Sequence, residues 1–305
     1  MKPDIKVTLA GLEFANPVMT ASGCCGYGEE LAGIFPLSKL GALITKTITK
    51  EPRPGHPPPR TAETSSGMLN AIGLANVGID RFVKEIIPFL EKQKTRVIVN
   101  VAGSKINEYV EICARLNDLP RVDMVELNIS CPNVEEGGME FGSNPSMTER
   151  TVTEVKKVFK RPVIAKLSPN VTDIVAIARA AENGGADILS LINSVLGTAI
   201  DIETWRPRLT FNRGGLTGPA IKPIALAKID AVYNNCRLPI IGIGGICDYR
   251  DVVEFLLVGA RAVQIGTALF VYPDTPVRII EGLINYMKEK KINSISEIVG
   301  KVRKY

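Results

Sequence analysis

Val122-Asp123-Met124-Val125-Glu126-Leu127 runs directly into Asn128-Ile129-Ser130-Cys131-Pro132-Asn133. The first six residues read as a short, largely apolar strand. The next six deliver a thiol, a hydroxyl and two carboxamides just past its carboxyl end. Pro132 stiffens the turn and removes a backbone donor. In parallel α/β folds, active sites collect at the carboxyl ends of the strands. A lone cysteine is more often a small core hydrophobe than a reactive group. Here the flanking polar side chains and the strand-end position favour a site.

The same unit recurs on both sides of this stretch. Short apolar runs appear at Pro17-Val18-Met19-Thr20, Ala42-Leu43-Ile44-Thr45, Val97-Ile98-Val99-Asn100 and Met124-Val125-Glu126-Leu127. They continue at Val163-Ile164-Ala165-Lys166-Leu167, Ile188-Leu189-Ser190-Leu191-Ile192, Ile240-Ile241-Gly242-Ile243 and Ala262-Val263-Gln264-Ile265. Amphipathic segments lie between several of them: 80–92, 148–159, 172–182, 223–234 and 249–258. Helical periodicity alternating with short β-branched strands means βαβ units and a parallel sheet. Eight such units predict an α/β fold closed as a (β/α)₈ TIM barrel. Residues 5–14 form an expected N-terminal β-hairpin around Ala10-Gly11, placed as a plug at the bottom. An open doubly wound sheet is the alternative. No low-complexity linker or boundary interrupts the pattern, so residues 1–305 read as one domain.

If these runs are barrel strands, their carboxyl ends should carry the chemistry. They end in Ala21-Ser22-Gly23, Lys46-Thr47, Asn100, Asn128, Lys166, Asn193-Ser194, Gly244-Gly245 and Gly266-Thr267. Buried lysines and asparagines are costly unless paired, so such a mouth needs a polar or anionic occupant. The glycine pairs on the last two strands suit a phosphate, because glycine lets backbone N–H groups approach closely and helix N-termini favour anions. Tight strand–helix corners are the plainer explanation for the same glycines. Asn70-Ala71-Ile72-Gly73-Leu74-Ala75-Asn76 and Gly214-Gly215-Leu216-Thr217-Gly218-Pro219-Ala220 read either as surface connectors or as loops against a ligand. The proline-rich stretch 52–59 reads as a rigid surface loop.

Composition narrows the classes. The chain is 45% hydrophobic and 23% charged, with a mild net charge of +5. It has no basic run interleaved with aromatics, so nucleic-acid binding is not expected. Neither a signal peptide nor the roughly 20-residue apolar run of a membrane span is evident, which predicts a cytoplasmic protein. Of the six cysteines, none forms a C-x-x-C pair, so no metal site or resident iron–sulfur cluster is expected. The single histidine, His56, excludes a histidine metal cluster and leaves proton chemistry to another residue type. On residues alone, a Schiff-base lyase using Lys46 or Lys166 and a ligand-binding barrel stay open.

Lys46-Thr47, Asn70-x-x-Gly73-Leu74, Asn128-x-Ser130-Cys131-Pro132-Asn133, Lys166, Asn193-Ser194, Gly244-Gly245 and Gly266-Thr267 together resemble dihydroorotate dehydrogenase over nearly the whole chain. Cys131 marks class 1 within that family. The segments 193–201 and 215–223 look most like the NAD-linked class 1B catalytic subunit, with the fumarate-using class 1A as the close rival. The resemblance implies one FMN per chain in the barrel mouth and oxidation of dihydroorotate to orotate in pyrimidine biosynthesis. It implies Cys131 as the general base for the C5 proton and Lys46 beside flavin and substrate. Asn70, Ala71, Ile72, Gly73, Leu74, Asn128, Asn133, Asn193 and Ser194 would bind the pyrimidine. Ser22, Lys46, Thr47, Asn100, Asn128, Lys166, Ile192, Gly218, Gly244, Gly245, Gly266 and Thr267 would bind FMN. The chain lacks a ferredoxin-type cysteine set and a G-x-G-x-x-G fingerprint opening a βαβ unit. The resemblance therefore implies an electron-transfer partner carrying FAD and a 2Fe–2S cluster. A homodimer would form the core of the resulting heterotetramer.

Overall fold

The computed structural model describes residues 3–130, 132–133 and 139–303. Its centre is a closed barrel of eight parallel strands, in the order expected from the apolar runs. The strands are Val18–Thr20, Ala42–Ile44, Arg96–Val101, Met124–Asn128, Val163–Leu167, Ile188–Leu191, Ile240–Ile243 and Ala260–Ile265. All are buried on both faces over most of their length, which is why they read as continuous apolar runs rather than alternating ones.

Successive residues on a strand face opposite sides. Val97, Val99, Val125, Leu127, Val163, Ala165 and Leu189 join the outer core, against the helices. Met19, Ala42, Ile44, Ile98, Met124, Ile164, Ile188, Ile241 and Ala262 form a separate cluster inside the barrel. Leu9 and Phe14 from the N-terminal hairpin, Val7–Leu9 paired with Leu12–Phe14, complete that inner cluster. The hairpin therefore plugs the bottom, as its sequence predicts. Each isoleucine, leucine, methionine or phenylalanine so buried contributes about 1.5–3 kcal/mol.

The helices come from local signals. Asp173 accepts from the backbone of Val175 and Ala176 at the start of Ile174–Asn183, and Asp248 and Asp251 form a capping box on Tyr249–Leu257. Such caps satisfy backbone donors that the helix itself cannot pair. Two long helices, Ile106–Asn117 and Thr275–Lys290, and two single-turn ones, Glu29–Ala32 and Ala268–Val271, lie outside the segments expected from periodicity.

A second sheet was not expected. Val195–Gly197, Gly214–Thr217, Gly67–Asn70 and Thr61–Thr64 form a four-stranded antiparallel sheet in that order. The segments anticipated as loops after the second and sixth barrel strands are thus paired with each other across the carboxyl end of the barrel. None of the described helices is long and apolar enough to cross a membrane.

Candidate active site

The carboxyl end of the barrel and the antiparallel sheet enclose a cavity of about 500 Å³. Barrel-strand ends supply Ser22, Lys46, Thr47, Asn128, Lys166, Ile192, Asn193, Ser194, Gly244, Gly245, Gly266 and Thr267 to its lining. The covering sheet and its loops supply Asn70, Ala71, Ile72, Gly73, Leu74 and Gly218. Residues far apart in sequence therefore share one space. Cys131 lies outside the described residues. Asn133 belongs to a two-residue strand, Pro132–Asn133, paired with Met139–Glu140.

The carboxamides are held rather than loose. Asn70 donates through Nδ2 to the Gly215 carbonyl at 3.1 Å, tying two strands of the covering sheet. Asn193 Nδ2 donates to Asn128 Oδ1 at 3.2 Å and to Ser130 Oγ at 2.9 Å. Its Oδ1 accepts from the Ser194 backbone at 2.8 Å. The Asn128 backbone carbonyl accepts from the Tyr109 hydroxyl at 2.8 Å. The wall at residues 70–74 is fixed from behind. Gly73 has φ +69°, and a Cβ there would lie 2.7 Å from the His56 backbone nitrogen, so only glycine fits.

Lys46 and Lys166 are in different states. Lys166 is almost fully buried and lies 3.6 Å from the Glu126 carboxylate. Lys46 is half-buried, and no acceptor is within bonding reach of its ammonium among the described residues. Burial holds its pKa below the ordinary lysine value, and the charge of Arg60 pushes the same way, while Glu30 opposes. A desolvated, unpaired cation at a cavity wall favours an anionic guest.

The last two strand ends make a backbone cradle. Gly244 and Gly245 have φ of +127° and +73°, conformations that L side chains rarely adopt. A Cβ on Gly245 would meet the Gly218 carbonyl at 2.8 Å. Among the described residues, the N–H groups of Gly245, Ile246 and Thr267 reach no protein acceptor. The glycines therefore do more than pack a corner: they leave unpaired N–H donors among residues that line the cavity.

Asn100, expected at the cofactor, sits one step deeper. It is fully buried, accepts from Thr47 Oγ1 at 2.6 Å and donates to Glu126 Oε1 at 2.6 Å. Thr47 links it upward to Ser22 Oγ at 3.3 Å. Asn100 thus belongs to the floor that supports the lining. Glu126 carries no signal in the sequence beyond its place within an apolar strand. The covering pair His56 and Phe211, whose rings stack at 4.1 Å, is likewise not evident in the sequence. No short-range pattern links two residues so far apart in the chain.

The sequence of residues 4–287 matches the family model for dihydroorotate dehydrogenase. Two similar chains carry the name dihydroorotate dehydrogenase B (NAD(+)), catalytic subunit. The Pelobacter propionicus protein is 50% identical over 300 residues, covering 98% of this chain and 99% of that one. The Bacteroides thetaiotaomicron protein is 48% identical over 297 residues, covering 97% and 98%. The crystal structure of DHODH from Eimeria tenella in complex with ferulenol superposes with a TM-score of 0.81, covering 98% of this chain and 88% of that one. Its 21% identity makes that a likeness of fold. With a family model matched over nearly its full length and near-full-length relatives at about half identity, the chain belongs to the dihydroorotate dehydrogenase family.

Proposed function

We propose that this chain oxidises dihydroorotate to orotate in pyrimidine biosynthesis, using one FMN bound in the barrel mouth. The observation that carries the proposal is the convergence of Lys46, Asn70, Asn128, Lys166 and Asn193 on one cavity. Each carboxamide offers both a donor and an acceptor, matching the alternating N–H and C=O groups of a pyrimidine. Lys46, an unpaired cation, suits the substrate carboxylate.

The residues present fit FMN. The unclaimed N–H groups of Gly245, Ile246 and Thr267 suit a phosphate. Ser22, Thr47, Gly218, Gly244 and Gly266 line the rest of the same space, with Ile192 as an apolar wall. Lys166 supplies a cation for the pyrimidine end of the ring system. When bound there, FMN would supply the hydride acceptor. Cys131 takes the C5 proton as the C6 hydride leaves, so that the C5–C6 double bond forms. Asn133 joins Asn70, Asn128, Asn193 and Ser194 around the pyrimidine. Ala71, Ile72, Gly73 and Leu74 close over it.

Residues 1–305 act as one FMN-binding domain in this reading. Electrons leave through a separate subunit carrying FAD and a 2Fe–2S cluster, with NAD⁺ as final acceptor, in a cytoplasmic heterotetramer built on a homodimer. The "catalytic subunit" in the names of the 50%-identical relatives supports a partner. The test is anaerobic stopped flow on the FMN-loaded chain. Dihydroorotate should bleach the flavin, and the chain alone should reduce dyes but not NAD⁺. No bleaching, or equal bleaching by a dihydropyrimidine lacking the carboxylate, overturns the substrate assignment. Rapid NADH formation without a second polypeptide overturns the partner.

A further inference from the structure

Glu126 is fully buried on the fourth barrel strand, and side chains from four other barrel strands approach it. Taking a carboxylate out of water costs several kcal/mol unless partners compensate. Asn100 Nδ2 donates to Oε1 at 2.6 Å. Ser190 Oγ and Gln264 Nε2 donate to Oε2 at 2.8 Å and 2.5 Å. In every contact the carboxylate is the acceptor, so three donors from three other strands are spent on its two oxygens. The arrangement leaves Gln264 Oε1 buried without a partner. An unmade hydrogen bond of that kind costs about 1–3 kcal/mol. Gln264 thus turns its amino group toward Glu126 even though that orphans its own carbonyl oxygen.

The barrel has no packing need for this charge. One step lower on the same strand the inward residue is Met124, in an apolar layer. Lys166 Nζ lies 3.6 Å from Glu126 Oε1, inside ion-pair range but beyond a hydrogen bond. The cation is therefore balanced by a field and not tied by a shared proton. Its donors stay available to the cavity it lines.

We propose that Glu126 is a positioning residue that sets the charge Lys166 presents to the flavin. This rests on the FMN reading above. Reduction adds negative charge at the pyrimidine end of the flavin. A lone lysine would stabilise that charge strongly, whereas a lysine opposed by a fixed carboxylate does so less. The potential stays lower, and electrons are released more readily to the next carrier.

The test uses the FMN-loaded chain and sulfite, which adds to flavin N5 and leaves negative charge on the ring. Glu126→Gln should tighten sulfite binding by about tenfold or more, the order expected for one charge in a protein-like dielectric. The midpoint potential should rise with it. The partnerless Gln264 Oε1 can accept from the new amide after a side-chain rotation, so the variant keeps its network. Glu126→Asp, which keeps the charge, should stay near wild type. Unchanged sulfite affinity in the glutamine variant overturns the proposal, as does an aspartate variant shifted as far as the glutamine one. If the glutamine variant does not hold flavin, the folded aspartate variant decides: wild-type affinity supports the proposal and a tenfold shift overturns it. Failure of both to fold also overturns it, in favour of a purely structural carboxylate. A wild-type chain that takes up no FMN, or is not reduced by dihydroorotate, sinks the flavin reading instead.

Discussion

Along the inside of the barrel, a step of two residues changes the chemistry. Ile98, Met124, Ile164, Ile188 and Ala262 form an apolar layer over the hairpin plug. Two residues further along the same strands stand Asn100, Glu126, Lys166, Ser190 and Gln264, all buried and all polar. Both layers use the same inward-facing register. The lower one stabilises by burial and close packing. The upper one, equally buried, gives up apolar packing for a polar set under the cavity. The fold's stability and its chemistry are therefore carried by neighbouring rings of one cylinder and should be separable by mutation.

The largest expected effect lies at the upper end. Replacing Cys131 with alanine should slow flavin reduction by dihydroorotate by roughly 10²–10⁴-fold, the range for losing a general base. Stopped flow measures it directly, with the melting temperature unchanged. A wild-type rate in the alanine variant would remove the thiol from the proton step.

The lower layer should answer the opposite way. Ile164→Ala leaves a cavity in a packed interior, which destabilises by about 2–5 kcal/mol. Denaturant unfolding should show that loss while flavin content and turnover per folded molecule are kept. If turnover falls as far as stability, the two layers are mechanically coupled and the division fails.

This division also sets what could be read from sequence. The barrel strands were legible because each is buried on both faces, leaving an unbroken apolar run. Strand-end residues such as Lys46 and Asn193 followed from the direction of a parallel barrel. The covering sheet was not legible. Gly67–Asn70 pairs with Gly214–Thr217, nearly 150 residues away, and both strands are short and glycine-bearing. Glu126 was hidden for a different reason: within an apolar run, one carboxylate reads as tolerated rather than used. Its role depends on Ser190 and Gln264, which only the closed barrel brings to it.

Acid–base behaviour sharpens the contrast within the upper end itself. A free thiol ionises near 8.5, so flavin reduction should climb toward alkaline pH. Lys46 works against this. Its lowered pKa means that it is cationic only below a pH lower than for an ordinary lysine, and above that the grip on the substrate carboxylate weakens. Because burial disfavours its charged form in the fold, Lys46 costs stability below that pH, and the cost is relieved as pH rises. The Michaelis constant for dihydroorotate should therefore increase at alkaline pH even as the chemical step quickens. In Lys46→Arg, whose guanidinium stays charged throughout, the increase should disappear. A Michaelis constant that still climbs in the arginine variant would place the titrating group elsewhere.

The smallest effect concerns the cover. The His56 ring stacks on Phe211 with an interplanar angle of 14°, and His56 Nδ1 lies 3.0 Å from the Ala71 carbonyl. Phe211 is 62% exposed, so it contributes little to the core. What it does is pin the proline-rich loop, and through His56 the 70–74 wall, over the mouth. An aromatic pair of this kind contributes about 0.5–1.5 kcal/mol. Phe211→Ala should accordingly raise the Michaelis constant for dihydroorotate by about two- to twelve-fold, with kcat and the melting temperature unchanged. Steady-state rates with a dye acceptor measure it. A fall in kcat at constant Michaelis constant would mean that the stack orders the reacting groups themselves, and the cover would then belong to the chemistry and not only to binding.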